Sequence, residues 1–310
     1  MAAFPLLSLV AFTIGIILLV EGAEYFVRGG SGLAMRFRVS KALIGFTIIS
    51  FGTSLPELVV NTDALLADMP EITLGNVLGS NIANIALVLG LAAIVRPAII
   101  KQEGAVRWTS EWALMLGASA LFSLLALRGV IDIYAGLILL AGFGFSLFFL
   151  WSRRKEIVYI LESGGPRDYV YTIGGLIGII LGADLLVQGA VDIARIFGIS
   201  EFVIGVSLVA IGTSLPELAT SLIAVLREEP GISVGNVLGS NVFNLLFVMG
   251  VGSFIRPIPV VSYTSVLVML LFAFLVVPLF VKSSVVTRLF AALLLMGYGF
   301  YIGIVVGVLG

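Results

Sequence analysis

The chain contains one unit twice, and this duplication restricts the possible folds more than any other feature. Adding 160 to a residue number gives its counterpart without a gap from about 11 to 100. The run Gly-Thr-Ser-Leu-Pro-Glu-Leu begins at Gly52 and again at Gly212, and the run Gly-Asn-Val-Leu-Gly-Ser-Asn begins at Gly75 and again at Gly235. An internal repeat of this kind defines the organisation of the whole chain. We therefore expect a fold that brings the two copies of these motifs together.

Both copies lie in a sequence that is too apolar for a soluble domain. Of its 310 residues, 60% are hydrophobic and 11% are charged, and the mean hydropathy is +1.20. These values are typical of a polytopic membrane protein. Long apolar runs separated by short polar or Gly/Pro segments predict an all-α protein with ten transmembrane helices. Their approximate spans are 5–27, 42–66, 75–95, 109–127, 130–151, 169–194, 202–226, 234–255, 259–281 and 286–308.

The basic residues indicate how these spans are oriented. Alternate loops on one side hold all but three of the 17 Lys and Arg residues, and the exceptions are Arg128, Arg195 and Arg256. The positive-inside rule makes the basic side cytoplasmic, so both termini should be extracellular. Five spans separate equivalent positions, and an odd number inverts one half in the membrane, as in many secondary transporters. We predict a first inverted repeat (helices 1–5) over 1–152, a cytoplasmic linker over 153–168 and a second inverted repeat (helices 6–10) over 169–310.

Each copy of the first motif places a carboxylate at membrane depth. Glu57 and Glu217 lie in apolar segments, where an ionisable group is costly and indicates a functional site. Each follows a proline, Pro56 or Pro216, which breaks or kinks a helix and frees backbone carbonyls. Within a membrane, freed carbonyls need partners in the protein or a bound ion. Carboxylates, hydroxyls and bare carbonyls together indicate an all-oxygen site for a hard cation.

The second motif adds neutral oxygens at helical spacing. Ser80 and Asn84 are four residues apart and share one face of the third span, as do Ser240 and Asn244 in the eighth. These side chains could serve only as contacts between helices, but beside the glutamate-bearing spans we expect them to supply ligands to the same site. Small residues at the same spacing allow close helix approach: Gly75, Gly79, Gly235 and Gly239.

Other charged residues in the spans are less informative. We expect Glu24 to pair locally with Arg28, one helical turn away. Its repeat counterpart Asp184 has Gln188 at that distance and therefore lacks this partner. Asp63 breaks the symmetry of the repeat, and we expect it to be peripheral, near the end of its span.

The absence of two residue types excludes several functions. The chain has no Cys and no His, which excludes disulfides, thiolate metal sites, cysteine nucleophiles and Ser-His catalysis. We therefore predict that it is not an enzyme and needs no cofactor, although an intramembrane enzyme remains a competing hypothesis. A channel is another, but a channel requires a continuous pore lined by ligands, whereas two antisymmetric half-sites favour a carrier. The net charge of −1 argues against nucleic acid as a partner, and a monomer is compatible with the sequence.

The paired Gly-Thr-Ser-Leu-Pro-Glu and Gly-Ser-Asn-x-x-Asn stretches resemble the two α-repeats of the cation/calcium exchanger superfamily, and within it the prokaryotic sodium/calcium exchangers. The resemblance covers essentially the whole chain. It implies an electrogenic antiporter of the cell membrane that exchanges Na⁺ for Ca²⁺ by alternating access, with the first and sixth helices sliding across the core. It also implies four adjacent cation positions between the second, third, seventh and eighth helices. The implied ligands are side chains of Thr53, Ser54, Glu57, Ser80, Asn84, Thr213, Ser214, Glu217, Ser240 and Asn244, and backbone carbonyls of Ser50 and Ala210.

One position separates branches of that superfamily. The potassium-dependent branch has Asp where this chain has Asn244, so the resemblance implies transport of Na⁺ and Ca²⁺ without potassium. The proton-coupled branch carries a Gly-Asn-Ala-x-Glu type of motif, which this chain lacks. The alternative is a proton/calcium antiporter that uses Glu57 and Glu217 as proton carriers, or an antiporter that exchanges another cation for Ca²⁺.

Overall fold

The structure is a computed structural model that describes residues 3–97, 109–153, 165–198, 212–276 and 284–305. Within these ranges the chain is almost entirely helical, and its two short strands, β1 (Val130–Ile131) and β2 (Ile258–Pro259), pair antiparallel. The helices are α1 (Ala3–Arg36), α2 (Lys41–Thr53), α3 (Leu55–Leu66), α4 (Pro70–Val95), α5 (Thr109–Ala126), α6 (Ile133–Ser152), α7 (Arg167–Ile196), α8 (Leu215–Leu226), α9 (Pro230–Ile255), α10 (Tyr263–Leu275) and α11 (Ser284–Val305).

The length and apolar composition of these helices are those of a membrane protein. Six of the helices described are long and apolar enough to cross a bilayer, and α2 with α3 forms a seventh if the bent pair is one span. The apolar helices α5, α8 and α10 are shorter, and the start of the predicted seventh span lies outside the described residues. The helices α4 and α9 begin at Pro70 and Pro230, a few residues before the predicted spans. Proline is favoured in the first helical turn, because the N–H that it lacks would have no hydrogen-bond partner in the helix there.

The helices α1 and α7 pack against each other along most of their length. Glycines occur every seven residues in α1, and a Cβ on Gly22 would lie 2.6 Å from the backbone nitrogen of Ile179. A Cβ on Gly189 in α7 would lie 2.6 Å from the backbone nitrogen of Phe12. Only glycine permits this backbone-to-backbone contact. The same contact explains why α1 continues to Arg36, beyond the predicted span, because the small residues near its end are buried.

A second glycine-rich contact joins α9 to α2. A Cβ on Gly235 would lie 2.6 Å from the carbonyl oxygen of Ala42, and one on Gly239 would lie 2.5 Å from the hydroxyl oxygen of Ser50. The predicted close approach of helices is therefore confirmed at these two positions. At their counterparts Gly75 and Gly79, a Cβ would meet no described atom within 4 Å.

Ion pairs join the loops at the ends of the helices. Arg96 Nη2 lies 2.8 Å from Glu228 Oε1, and Arg256 Nη1 lies 2.5 Å from Asp68 Oδ1. These two pairs are related by the repeat, because both arginines and both acids are 160 residues apart. One connects the end of α4 to the loop after α8, and the other connects the end of α9 to the loop after α3.

The predicted pair between Glu24 and Arg28 is wrong. The Glu24 carboxylate forms an ion pair with Arg227, from the other half of the chain. The Arg28 guanidinium instead lies over the Tyr171 ring, 5.0 Å from its centroid. Packing of α1 against both α7 and α8 places these distant residues closer than the helical neighbour.

Candidate functional site

The predicted break in the second span is confirmed. The helix axis bends by 42° between α2 and α3, and Ser54 lies at the bend. Pro56 occupies the first turn of α3, where its missing N–H leaves no hydrogen bond unmade. Ser214 has nearly the same backbone angles before α8, with φ −89° and ψ 0° against φ −89° and ψ 8° at Ser54. Each serine therefore precedes a helix whose first turn contains a glutamate, where the helix dipole favours negative charge.

The two carboxylates are fully buried but have different surroundings. Glu57 and Glu217 are both 0% exposed. Oε1 of Glu217 accepts hydrogen bonds from Ser54 Oγ at 2.8 Å and from Ser240 Oγ at 3.3 Å. Both oxygens of Glu57, and Oε2 of Glu217, have no hydrogen-bond partner among the described residues. Ser54 therefore links one half of the site to the carboxylate of the other half.

Four neutral oxygens of predicted site residues also have no partner in the described part of the chain. They are Ser80 Oγ, Asn84 Oδ1, Ser214 Oγ and Asn244 Oδ1, and all four residues are buried. An unsatisfied buried polar group costs about 1–3 kcal/mol, so native proteins rarely leave one without a partner. Together with the three carboxylate oxygens, this makes seven unpartnered oxygens from six predicted residues. A hard cation is the ligand that such a set can satisfy.

The remaining predicted residues have partners within the protein. Thr53 Oγ1 donates to Asn236 Oδ1 at 3.0 Å, and Thr213 Oγ1 donates to Asn76 Oδ1 at 3.4 Å. The hydroxyl of Ser50 donates to the Phe46 carbonyl oxygen at 2.6 Å. A hydroxyl that donates one hydrogen bond still has lone pairs for a cation. Ala210 lies outside the described residues.

Sequence reasoning missed two asparagines that orient this site. Asn236 Oδ1 accepts a hydrogen bond from the Thr53 hydroxyl, and Asn236 Nδ2 donates one to Ser221 Oγ at 3.1 Å. Its counterpart Asn76 accepts from Thr213 and donates to Asn61 Oδ1 at 3.2 Å. Each asparagine thus holds a threonine of the opposite half. Both lie inside the duplicated Gly-Asn-Val-Leu-Gly-Ser-Asn run, four residues before the predicted serines, so the repeat could have identified them.

A second pair of asparagines marks the contact between the two halves. Asn81 Nδ2 donates to the Asn241 carbonyl oxygen at 3.3 Å, and Asn241 Nδ2 donates to the Asn81 carbonyl oxygen at 3.4 Å. Asn241 Oδ1 also accepts from Asn84 Nδ2 at 3.2 Å. This last bond orients the amide so that Asn84 Oδ1 is left without a partner.

Wide helical turns occur beside three of the site residues. The stretches Gly45–Ile49, Asn84–Leu89 and Phe243–Val248 are π-helical. They precede Ser50 and include Asn84 and Asn244. Single π-helical turns within α-helices are frequent at functional sites. Asp63, in contrast, is exposed on α3, as expected of a peripheral residue.

Comparison with known proteins identifies a family. The family model described as sodium/calcium exchanger protein matches residues 7–152 and 168–307. The chain is 34% identical to the inner membrane protein YrbG of Escherichia coli, over 81% of each chain. It is 28% identical to the sodium/calcium exchanger MaX1 of Methanosarcina acetivorans, over 80% of this chain and 83% of that protein. The solved structure of the sodium-calcium exchanger NCX_Mj, soaked with 2.5 mM Na⁺ and 0.1 mM Ca²⁺, matches with a TM-score of 0.84 and 33% identity, over 96% of this chain and 98% of that chain.

Proposed function

The chain belongs to the sodium/calcium exchanger family, and from this premise we propose that it exchanges Na⁺ for Ca²⁺ by alternating access. The observation that carries the proposal is the group of seven buried oxygens without partners, which includes both carboxylates. Members of this family are cation antiporters and not enzymes. We further propose that the exchange is electrogenic, independent of potassium, and located in the cell membrane.

The ligands that we propose come from both halves of the chain. The two carboxylates supply two negative charges, which balance one Ca²⁺ or two Na⁺, so the electrogenic exchange that we propose requires at least one further Na⁺ held by neutral oxygens. Cations at short range repel strongly in a site of low dielectric constant, so the two loads compete for shared ligands and are thereby coupled. The proposed ligands are Ser50, Thr53, Ser54, Glu57, Ser80, Asn84, Ala210, Thr213, Ser214, Glu217, Ser240 and Asn244.

The proposed topology is ten helices in two inverted five-helix repeats, 1–152 and 169–310, joined by a cytoplasmic linker at 153–168. The ion pairs between loops support it. Arg96 and Glu228 fall in loops that the charge distribution assigns to the cytoplasmic side, whereas Arg256 and Asp68 fall in loops assigned to the opposite side. β1 and β2 also lie in two loops of that opposite side.

The topology predicts that both termini are extracellular. We expect alkaline phosphatase fused to the C-terminus to be active and green fluorescent protein at the same position to be dark. Fusions after Arg153, in the proposed cytoplasmic linker, should give the reverse and serve as the control. A fluorescent C-terminal fusion would contradict the ten-helix topology.

The transport proposal predicts the driving ion. Purified protein in liposomes should take up ⁴⁵Ca²⁺ when the lumen contains Na⁺ and the bath does not, in the absence of potassium. Because Asn244 replaces the acid of the potassium-dependent branch, adding potassium should leave the rate unchanged. A membrane potential should change the initial rate if the exchange is electrogenic. Uptake that needs potassium, or that follows a proton gradient without Na⁺, would instead support another cation/calcium antiporter.

A further inference from the structure

A row of polar side chains runs along α9 from the central site to the start of the helix. Ser240, Asn236, Ser233 and Glu229 are spaced by four, three and four residues, which places them on one helix face. Ser240 contacts Glu217 in the centre, and the Ser233 amide donates to the Glu229 carbonyl oxygen at 3.2 Å in the first turn. The row therefore connects the buried carboxylates with the loop that precedes α9.

The row includes a hydroxyl with no established role. Ser233 is 0% exposed, and its Oγ has no hydrogen-bond partner among the described residues. A buried hydroxyl in this condition is unfavourable unless a ligand or a second conformation satisfies it. It lies one helical turn from Glu229, on the same face.

Glu229 already holds a cationic group. Its Oε1 lies 2.7 Å from Lys41 Nζ and accepts a hydrogen bond from Ser31 Oγ at 3.0 Å. The Glu229 side chain is 16% exposed and lines a cavity of about 810 Å³ that also contains Arg227. The ion pair with Glu24 compensates the charge of Arg227.

We propose that Glu229, which lines this cavity, and Ser233, one helical turn further along α9, form a cation-binding site that is separate from the central site and that Ca²⁺ occupies in transit. In the present conformation Lys41 forms an ion pair with the Glu229 carboxylate, and this pair must break before a metal ion binds. The inference rests on the proposed function for the identity of the ion. It assigns a role to the polar row that the central site does not explain.

The site exists on only one face of the protein. The equivalent row in the first half is Ser80, Asn76, Thr73 and Met69, so a thioether replaces the carboxylate at the mouth. A hard divalent cation prefers carboxylate oxygen to thioether sulfur. Arg28 and Arg167 line the same cavity together with Asp168, and the two guanidinium groups weaken cation binding there. Weak binding suits a transit site, because an ion must also be able to leave it.

The test compares ⁴⁵Ca²⁺ uptake under a sodium gradient in everted and right-side-out membrane vesicles. Glu229→Gln should raise the half-saturating Ca²⁺ concentration by about fivefold or more on one face only. Lys41→Gln should lower the half-saturating concentration on that same face, because it removes the competing ammonium group. Glu228→Gln is the matched control, since this adjacent carboxylate is 72% exposed and pairs with Arg96; it should have no effect.

The two variants distinguish a cation site from a structural ion pair. If the pair between Lys41 and Glu229 only holds the helices together, both substitutions will shift the half-saturating concentration in the same direction, which would overturn the proposal. Equal effects of Glu229→Gln on both faces would also overturn it.

A binding measurement separates this inference from the transport proposal. In protein that carries Glu57→Gln and Glu217→Gln, equilibrium dialysis should detect residual weak ⁴⁵Ca²⁺ binding. Lys41→Gln should strengthen it, Glu229→Gln should remove it, and Glu228→Gln should leave it unchanged. Failure of sodium-driven uptake in the wild-type protein would refute the proposed function alone. Residual binding that is unchanged by Glu229→Gln would refute the transit site.

Discussion

Replacing either Glu57 or Glu217 with Gln will abolish calcium transport and leave the protein folded. Ca²⁺ needs its dehydration offset, and neutral oxygens rarely achieve this in apolar surroundings. Two unit charges 4 Å apart interact by about 4 kcal/mol at an effective dielectric constant of 20, and a divalent ion by about twice that. Loss of one carboxylate charge should therefore lower calcium affinity by more than about a thousandfold. Gln keeps the volume and one oxygen of Glu, so packing should survive.

The different surroundings of the two carboxylates refine this expectation. Glu217 accepts hydrogen bonds from Ser54 and Ser240, and the oxygen of a Gln can still accept them. Glu57 has no such bonds among the described residues, so Glu57→Gln removes charge alone. Weakened monovalent binding should persist in both variants, because a Na⁺ site can be built largely from neutral oxygens.

The measurement is ⁴⁵Ca²⁺ uptake by monodisperse, reconstituted variants in a sodium gradient. Asp63→Asn is the control, because it removes a carboxylate from the same helix as Glu57 but at an exposed position. Near-normal uptake by either Gln variant would refute the site, and loss of uptake in Asp63→Asn would show that the pathway extends further along α3.

Gly175→Ala will destabilise the protein, whereas Gly174→Ala, at the adjacent position, will not. A Cβ on Gly175 would lie 2.7 Å from the Gly22 carbonyl oxygen and 2.8 Å from the Phe26 Cα. These neighbours are backbone atoms of α1 and cannot move without separating α1 from α7. Overpacking of this kind costs about 1–3 kcal/mol. A Cβ on Gly174 would meet no described atom within 4 Å, and Ala favours a helix over Gly by roughly 0.5–1 kcal/mol.

Thermal unfolding in detergent and sodium-driven ⁴⁵Ca²⁺ uptake will test this pair of variants. Gly175→Ala should unfold at a lower temperature and transport more slowly. Gly174→Ala should match the wild type in both measurements, or be slightly more stable. Equal stability of the two variants would mean that α1 and α7 are not in backbone contact in the membrane.

Much of the fold and the candidate site could be predicted from the sequence, because local rules governed those features. Apolar length indicates spans, and Pro56 in an apolar segment predicts the break that lies at Ser54. The 160-residue repeat paired Glu57 with Glu217, and both are buried. Spacing of four residues placed Ser80 and Asn84 on one face.

Tertiary structure alone decided which partner each polar group takes. Glu24 pairs with Arg227 and not with Arg28, because packing of α1 against α8 outweighs a neighbour one turn away. The repeat is symmetric in Ser54 and Ser214, yet only Ser54 donates to the opposite carboxylate, and Ser214 Oγ has no partner among the described residues. In this conformation the two inverted halves therefore make different contacts at equivalent positions. The sequence therefore predicts which oxygens can bind a cation, and the packing of the halves determines which of them are free to do so.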